Sequence, residues 1–194
     1  EKINALIKSY NEKIKKCITE LIEAIGENPI REGLKDTPAR VAKMMNEMLE
    51  GIQYSNEDIA NMFGKTFDCT TNNMVVVKDI ECFSFCEHHL ALMYNMKIDI
   101  GYIPKGKVIG LSKIPRIAQM CCKRLQLQER IGEDIAKVIQ LATGSDNVIV
   151  KITANHSCVT ARGIKSNSKT TTLTTKGIFN NAQNINSFFN TINM

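Results

Sequence analysis

The chain has three histidines, His88, His89 and His156, and each lies within three residues of a cysteine. They occupy two short segments, Cys86-Glu87-His88-His89 and His156-Ser157-Cys158. Histidines scattered by core packing would not gather this way. Thiolate and imidazole together make a good zinc set. The Cys-x-x-His spacing puts Cys86 and His89 about one helical turn apart, so both can face one ion. Cys158 can supply a third ligand from a strand. On that strand His156 stands two residues earlier and points to the same face. His88 points away from its neighbour and is free for other work. Three ligands leave a position for water, as catalytic zinc sites do. Cys82, four residues before Cys86, would instead close a four-ligand structural site. Spacing alone leaves both readings open.

Composition narrows the partners. The balance of 25 Lys+Arg against 20 Asp+Glu gives +5. That suits an anionic substrate and is too small to argue for nucleic acid. With 6% aromatic residues and no basic run, a stacking platform for single strands is also poorly supported. No apolar run reaches the ~18 residues of a membrane span, so no membrane partner is expected. Seven cysteines are an odd count spread along the chain. They do not form a small disulfide framework, and a reducing, cytoplasmic compartment fits them better.

The elements that must carry these residues follow from periodicity. Ile3, Leu6, Ile7, Tyr10, Ile14, Ile18, Leu21, Ile22 and Ile25 predict an amphipathic helix over residues 2–25, stopped by Gly26. Thr37 as a cap and Pro38 at the first position predict a second helix, with Val41, Met44, Met45, Met48 and Leu49 turned inward. Met74 to Val77, then Met96, Ile98 and Ile100, read as strands. Pro104-Lys105-Gly106 is a turn, with Val108 and Ile109 beyond it. A helical block runs from Ser112 and Pro115 through Ile117, Met120, Cys121, Leu125, Ile131, Ile135, Val138 and Ile139 to Gly144. Val148, Val150, Ile152 and Ala154 alternate as a strand, and Thr170 to Thr175 is β-prone. Helices, strands, helices, strands, with short turns between strands, predict an α+β domain with an antiparallel sheet. The Asn-rich tail over 181–194 is expected to be weakly ordered or partner-bound.

Several segments in register resemble the GTP cyclohydrolase I family. They are Thr37-Pro38-Ala39-Arg40-Val41-Ala42-Lys43, Phe83-Ser84-Phe85-Cys86-Glu87-His88-His89-Leu90, Gly110-Leu111-Ser112-Lys113-Ile114-Pro115-Arg116, Arg124-Leu125-Gln126-Leu127-Gln128-Glu129-Arg130, and His156-Ser157-Cys158 followed by Arg162-Gly163. The resemblance implies a tunnelling fold, an antiparallel sheet with helices packed on one face, over 71–180. An N-terminal helical region over 1–70 would precede it. It implies a homodecamer of two pentamers with pockets shared between subunits. It assigns one Zn2+ per chain to Cys86, His89 and Cys158. The implied reaction is hydrolysis of GTP at purine C8 to formate and 7,8-dihydroneopterin triphosphate, the first step towards folate or tetrahydrobiopterin.

Within that family reading the other residues take roles. Zinc lowers the pKa of a bound water, so hydroxide for attack at C8 is available near neutral pH. His88 is placed as proton donor at the ring nitrogen, and His156 transfers protons at the ribose, where the sugar must open. Ser112 would assist the sugar rearrangement or simply cap its helix. Glu129 can accept both the N–H and the NH2 that guanine presents side by side, a pair adenine lacks. Gln128 would read the guanine carbonyl. Lys113 and Arg116 share a face at a helix start, and Arg40 and Lys43 repeat that spacing. With Arg162 they form the set expected to meet the triphosphate. The sequence departs from the family after the metal segment, where Pro, Phe and Gly are usual. Leu92, Met93 and Asn95 stand there, and Asn tolerates the left-handed backbone that Gly would adopt.

Overall fold

A computed structural model describes residues 2–194, with side chains from Tyr10 onward. The chain divides into two compact units, Glu1–Glu50 and Gly51–Met194. In the first, α1 (Lys2–Ala24) and α2 (Thr37–Met48) pack together. Gly26 turns the chain after α1 with φ 87°. Helix α2 takes Asp36 rather than Thr37 as its N-cap, with Pro38 in its first turn. The side chains of Ile3, Leu6 and Ile7 lie outside the described residues.

The helical region expected over 1–70 is therefore split. Residues beyond 50 belong with the second unit, because α3 (Asn56–Phe63) packs there on the helices over 113–122 and 128–143. A capping box starts α3: Ser55 Oγ accepts from the Asp58 N–H, and Asp58 accepts from the Ser55 N–H. Such boxes satisfy two orphan helix donors at once.

The main sheet of the second unit is built on four antiparallel strands. A short ribbon of β1 (Thr66–Asp68) with β4 (Lys107–Ile109) lies apart from it. In the main sheet, β2 (Val75–Cys86) pairs with β3 (Ala91–Tyr102), β3 with β6 (Val148–His156), and β6 with β7 (Thr170–Thr175). At the edge, β5 (Leu125–Gln126) adds to β2 in parallel, matching Phe85 to Leu125 and Cys86 to Gln126. This pairing breaks the single helical block expected from Ser112 to Gly144 into α4 (Lys113–Cys122) and α5 (Gln128–Thr143). The gain of a fifth strand and its ladder outweighs local helical propensity.

Alternation sorts the strands. Val148, Val150, Ile152 and Ala154 face one way and are fully buried with Ile114, Ile117, Ile131, Ile135, Val138 and Ile139 of the helices. Each buried Val or Ile side chain contributes about 1.5–3 kcal/mol. Ile149 faces the other way. There it packs with Phe179 and with Phe188 of α7 (Ala182–Ile192). The tail expected to be weakly ordered is thus largely a helix. Ile185, Phe188 and Ile192, at helical spacing, supply its apolar face, and Asn181 caps it by accepting from the Gln183 N–H.

Candidate functional site

Cys86 ends β2 and pairs with Ala91, the first residue of β3. Glu87 to Leu90 therefore form a hairpin turn, closed with Leu90 at φ 49°. The Cys-x-x-His segment is this turn and not the helical turn its spacing suggested. The turn is pinned from outside. The Glu87 N–H donates to Gln126 O at 3.1 Å. Both oxygens of Glu87 meet the Arg130 guanidinium, at 2.7 and 3.3 Å. That fork holds the Glu87 carboxyl below the usual carboxylate range.

The second segment arrives from β6. His156 is the last strand residue, and Cys158 lies in the short helix α6 (Ser157–Thr160) rather than on the strand. Tyr94 of β3 donates to Thr160 Oγ1 at 3.0 Å and ties α6 to the hairpin. One ligand atom each of Cys86, His89 and Cys158 lies within 4.8 Å of the other two. Ligand atoms around a tetrahedral zinc stand about 3.5–3.8 Å apart, from Zn–S of about 2.3 Å and Zn–N of about 2.0–2.1 Å. Small side-chain movements close the difference, so the group fits zinc. A cation would also relieve the thiols. Burial, then the neighbouring Cys86 sulfur, pushes the Cys158 thiol up, and a metal offsets both penalties.

Cys82 is not one of the three. It stands beyond an irregularity in the β2–β3 register, between Cys82 and Ser84, and its thiol meets buried Cys122 instead. The fourth ligand of a closed structural site does not come from it.

Around the group the other expected residues divide. Arg162 reaches it: Nη1 lies 3.4 Å from His89 Nε2. A guanidinium only donates, so Nε2 shows it a lone pair. His88 is exposed, its ring nearly perpendicular to that of His89 at 6.4 Å. His156 Nε2 lies 2.8 Å from Gln128 Oε1, at the first residue of α5. Burial lowers the His156 pKa, partly countered by nearby Glu129, which is itself exposed. Gly132 lets α5 sit this close, since a Cβ there would fall 2.4 Å from Thr174 Oγ1 of β7.

Gln128 does not face outward as a guanine reader should. It is 2% exposed, and its amide is committed to the protein. Of the departing residues, Met93 packs beside the site and Asn95 is exposed. Met93 is fully buried and pairs with both Ser84 and His156. Asn95 takes φ 48°, the left-handed backbone expected of it.

Ser112, Lys113 and Arg116 stand elsewhere, at the start of α4. The other end of α4 is held near Cys86, because Ser84 Oγ donates to Cys122 O at 2.7 Å. Ten helical residues put its start about 15 Å along the axis from that end. A cavity of about 610 Å3 lies over the polar sheet face, lined by Asp79, Glu81, Lys97, Asp99 and Lys151, and none of the three ligands lines it. In the first unit, Arg40 and Lys43 are exposed on α2, and Arg40 pairs with Asp36 at 3.4 Å.

The Glu87–Arg130 pair was not anticipated. Its members are 43 residues apart, and only the parallel β2–β5 pairing brings them together.

Known proteins give this arrangement a context. A family model described as GTP cyclohydrolase I matches residues 14–193. The GTP cyclohydrolase 1 of Clostridium botulinum (strain Loch Maree / Type A3) is 58% identical over 174 residues, covering 86% of this chain and 89% of that protein. That of Clostridium beijerinckii is 57% identical over 169 residues, covering 84% and 86%. That of Clostridium acetobutylicum is 54% identical over 174 residues, covering 87% and 89%. Among solved structures, an archaeosine synthase QueF-Like in the apo form aligns at TM-score 0.46 and 17% identity, covering 56% of this chain and 97% of that one.

Proposed function

We propose that this chain, which belongs to the GTP cyclohydrolase I family, binds one zinc ion at Cys86, His89 and Cys158. There it hydrolyses GTP at purine C8, giving formate and 7,8-dihydroneopterin triphosphate, the first step towards folate or tetrahydrobiopterin. The observation that carries this is the convergence of two thiols and an imidazole within 4.8 Å, from two segments about 70 residues apart, beside His156. Zinc held there with an open position would lower the pKa of a water and supply the nucleophile near neutral pH.

The protein's own groups do the rest. His88, exposed on the turn, donates a proton at the purine ring nitrogen. His156, kept neutral by burial, takes up and returns protons at the ribose. Glu129 accepts the two guanine donors, which orients the base and excludes adenine. Arg162, already at His89, meets the triphosphate together with Lys113, Arg116, Arg40 and Lys43. Ser112 assists the sugar rearrangement.

The separation of about 15 Å along α4 supports a pocket completed by a neighbouring subunit. A homodecamer of two pentamers supplies that neighbour. No described helix is long and apolar enough to cross a membrane, and a cytoplasmic setting with free thiols suits a zinc thiolate site.

The reading is tested by incubating zinc-loaded protein with GTP, and separately with ATP. Formate and a fluorescent oxidised pterin should appear with GTP alone. No formate from zinc-loaded protein would overturn the reading.

A further inference from the structure

We propose that Gln128 is a positioning residue that holds His156 in one tautomer, with hydrogen on Nε2 and the lone pair on Nδ1. Its catalytic consequence rests on the role of His156 in proton transfer set out above.

The bonding of the amide decides its orientation. Gln128 Nε2 has three acceptors in reach: Ile152 O at 3.1 Å, Thr170 O at 3.0 Å and Thr172 Oγ1 at 3.3 Å. Two of these are backbone carbonyls, which only accept. Reversing the amide would set its oxygen against both carbonyl oxygens and replace two attractive contacts with repulsive ones. The nitrogen therefore faces β6 and β7, and the oxygen faces His156. An amide oxygen only accepts, so at 2.8 Å His156 Nε2 must carry the hydrogen. Three consecutive features make the device rigid: residue 128 opens α5, it is 2% exposed, and Gly132 one turn later seats the helix against β7. The lone pair on Nδ1 is turned away from Gln128, and the Nε2–H bond holds the ring in one orientation. A second shell of this kind fixes tautomer and ring direction in many histidine sites.

The test is solid-state 15N NMR of histidine-labelled, zinc-loaded protein. The chain has three histidines, and His156→Ala identifies the signal. Wild-type His156 should show the Nε2–H pattern. Gln128→Met, with similar bulk and no amide, should move His156 towards a mixture of tautomers. It should keep its zinc and lower kcat for formate release about tenfold or more, with KM for GTP little changed. An Nδ1–H pattern in wild type overturns the proposal, and this holds even if Gln128→Met fails to fold. An unaltered tautomer in Gln128→Met with a raised KM also overturns it, and would return Gln128 to the guanine. Normal formate release by His156→Ala would remove the proton-transfer role alone, while the wild-type spectrum still decides the tautomer.

Discussion

Ser84 Oγ donates to the carbonyl of Cys122 at 2.7 Å, and this bond fixes which end of α4 lies near Cys86. Ser84 stands two residues before Cys86, so the carboxyl end of α4 is the near end. Ser112 and Lys113 belong to the far end, about 15 Å along the axis from Cys122, and Arg116 lies about 9 Å from it. The proposed function gives Lys113 to a pocket completed by a neighbouring subunit. Cys86→Ala and Lys113→Ala chains should therefore each be weak alone and recover part of the activity when co-expressed. Preformed oligomers mixed after purification should recover it slowly. A fully active monomer by sedimentation, or no recovery despite proven mixed assembly, would mean that each chain holds its own site.

The Glu87–Arg130 pair should govern the pH response of the turn that carries His88 and His89. The folded Glu87 pKa is depressed below 4.5, chiefly by the bond to Arg130. A depressed carboxylate stabilises the turn above its unfolded value, and that contribution disappears as pH falls through the folded one. Arg130→Ala should return the Glu87 titration towards 4.5 and loosen zinc by up to about tenfold. A carboxyl titration by 13C NMR that stays put in Arg130→Ala would show that the ion pair is not the cause.

Chemistry and metal binding should separate at the two histidines that are not ligands. His88→Ala and His156→Ala should keep zinc and bind GTP, yet release formate at least ~100-fold more slowly. Turnover close to normal in either variant would cancel the role given to that residue.

Legibility varied with the kind of signal. The grouping of Cys86, His89 and Cys158 could be read because Cys and His are chemically unusual and concentrated here, whatever backbone carries them. The backbone itself was misread twice: Cys86-x-x-His89 is a hairpin turn, and Cys158 sits in α6. Local spacing does not distinguish a turn from a helix over four residues. Gln128 was read as facing a ligand because its partners, Ile152 and Thr170, are invisible from its own neighbourhood. The break at β5 depends on Phe85 and Cys86, about forty residues away. Two elements were there to be read. Ser55 and Asp58 carry a capping-box spacing ahead of α3. Ile185, Phe188 and Ile192 carry helical spacing inside a tail whose asparagines suggested disorder. Asn95 shows the reverse, since its tolerance of positive φ was enough to place the bend.

Base selection should rest on Glu129. Glu129→Ala should lose GTP binding by about 2 kcal/mol or more, because two guanine donors lose a charged acceptor. ATP should remain a poor ligand of the wild type. Equal affinity for the two nucleotides, measured by calorimetry, would rule out this recognition.

The most direct test of the zinc site follows formate release as metal-free protein is reloaded with zinc. The rate should rise in proportion to bound zinc and level off at about one ion per chain. Cys82→Ser should follow the same line, whereas Cys86→Ala, His89→Ala and Cys158→Ala should neither hold zinc nor release formate. Full activity in metal-free protein, or zinc retained without Cys158 but lost with Cys82→Ser, would contradict the account.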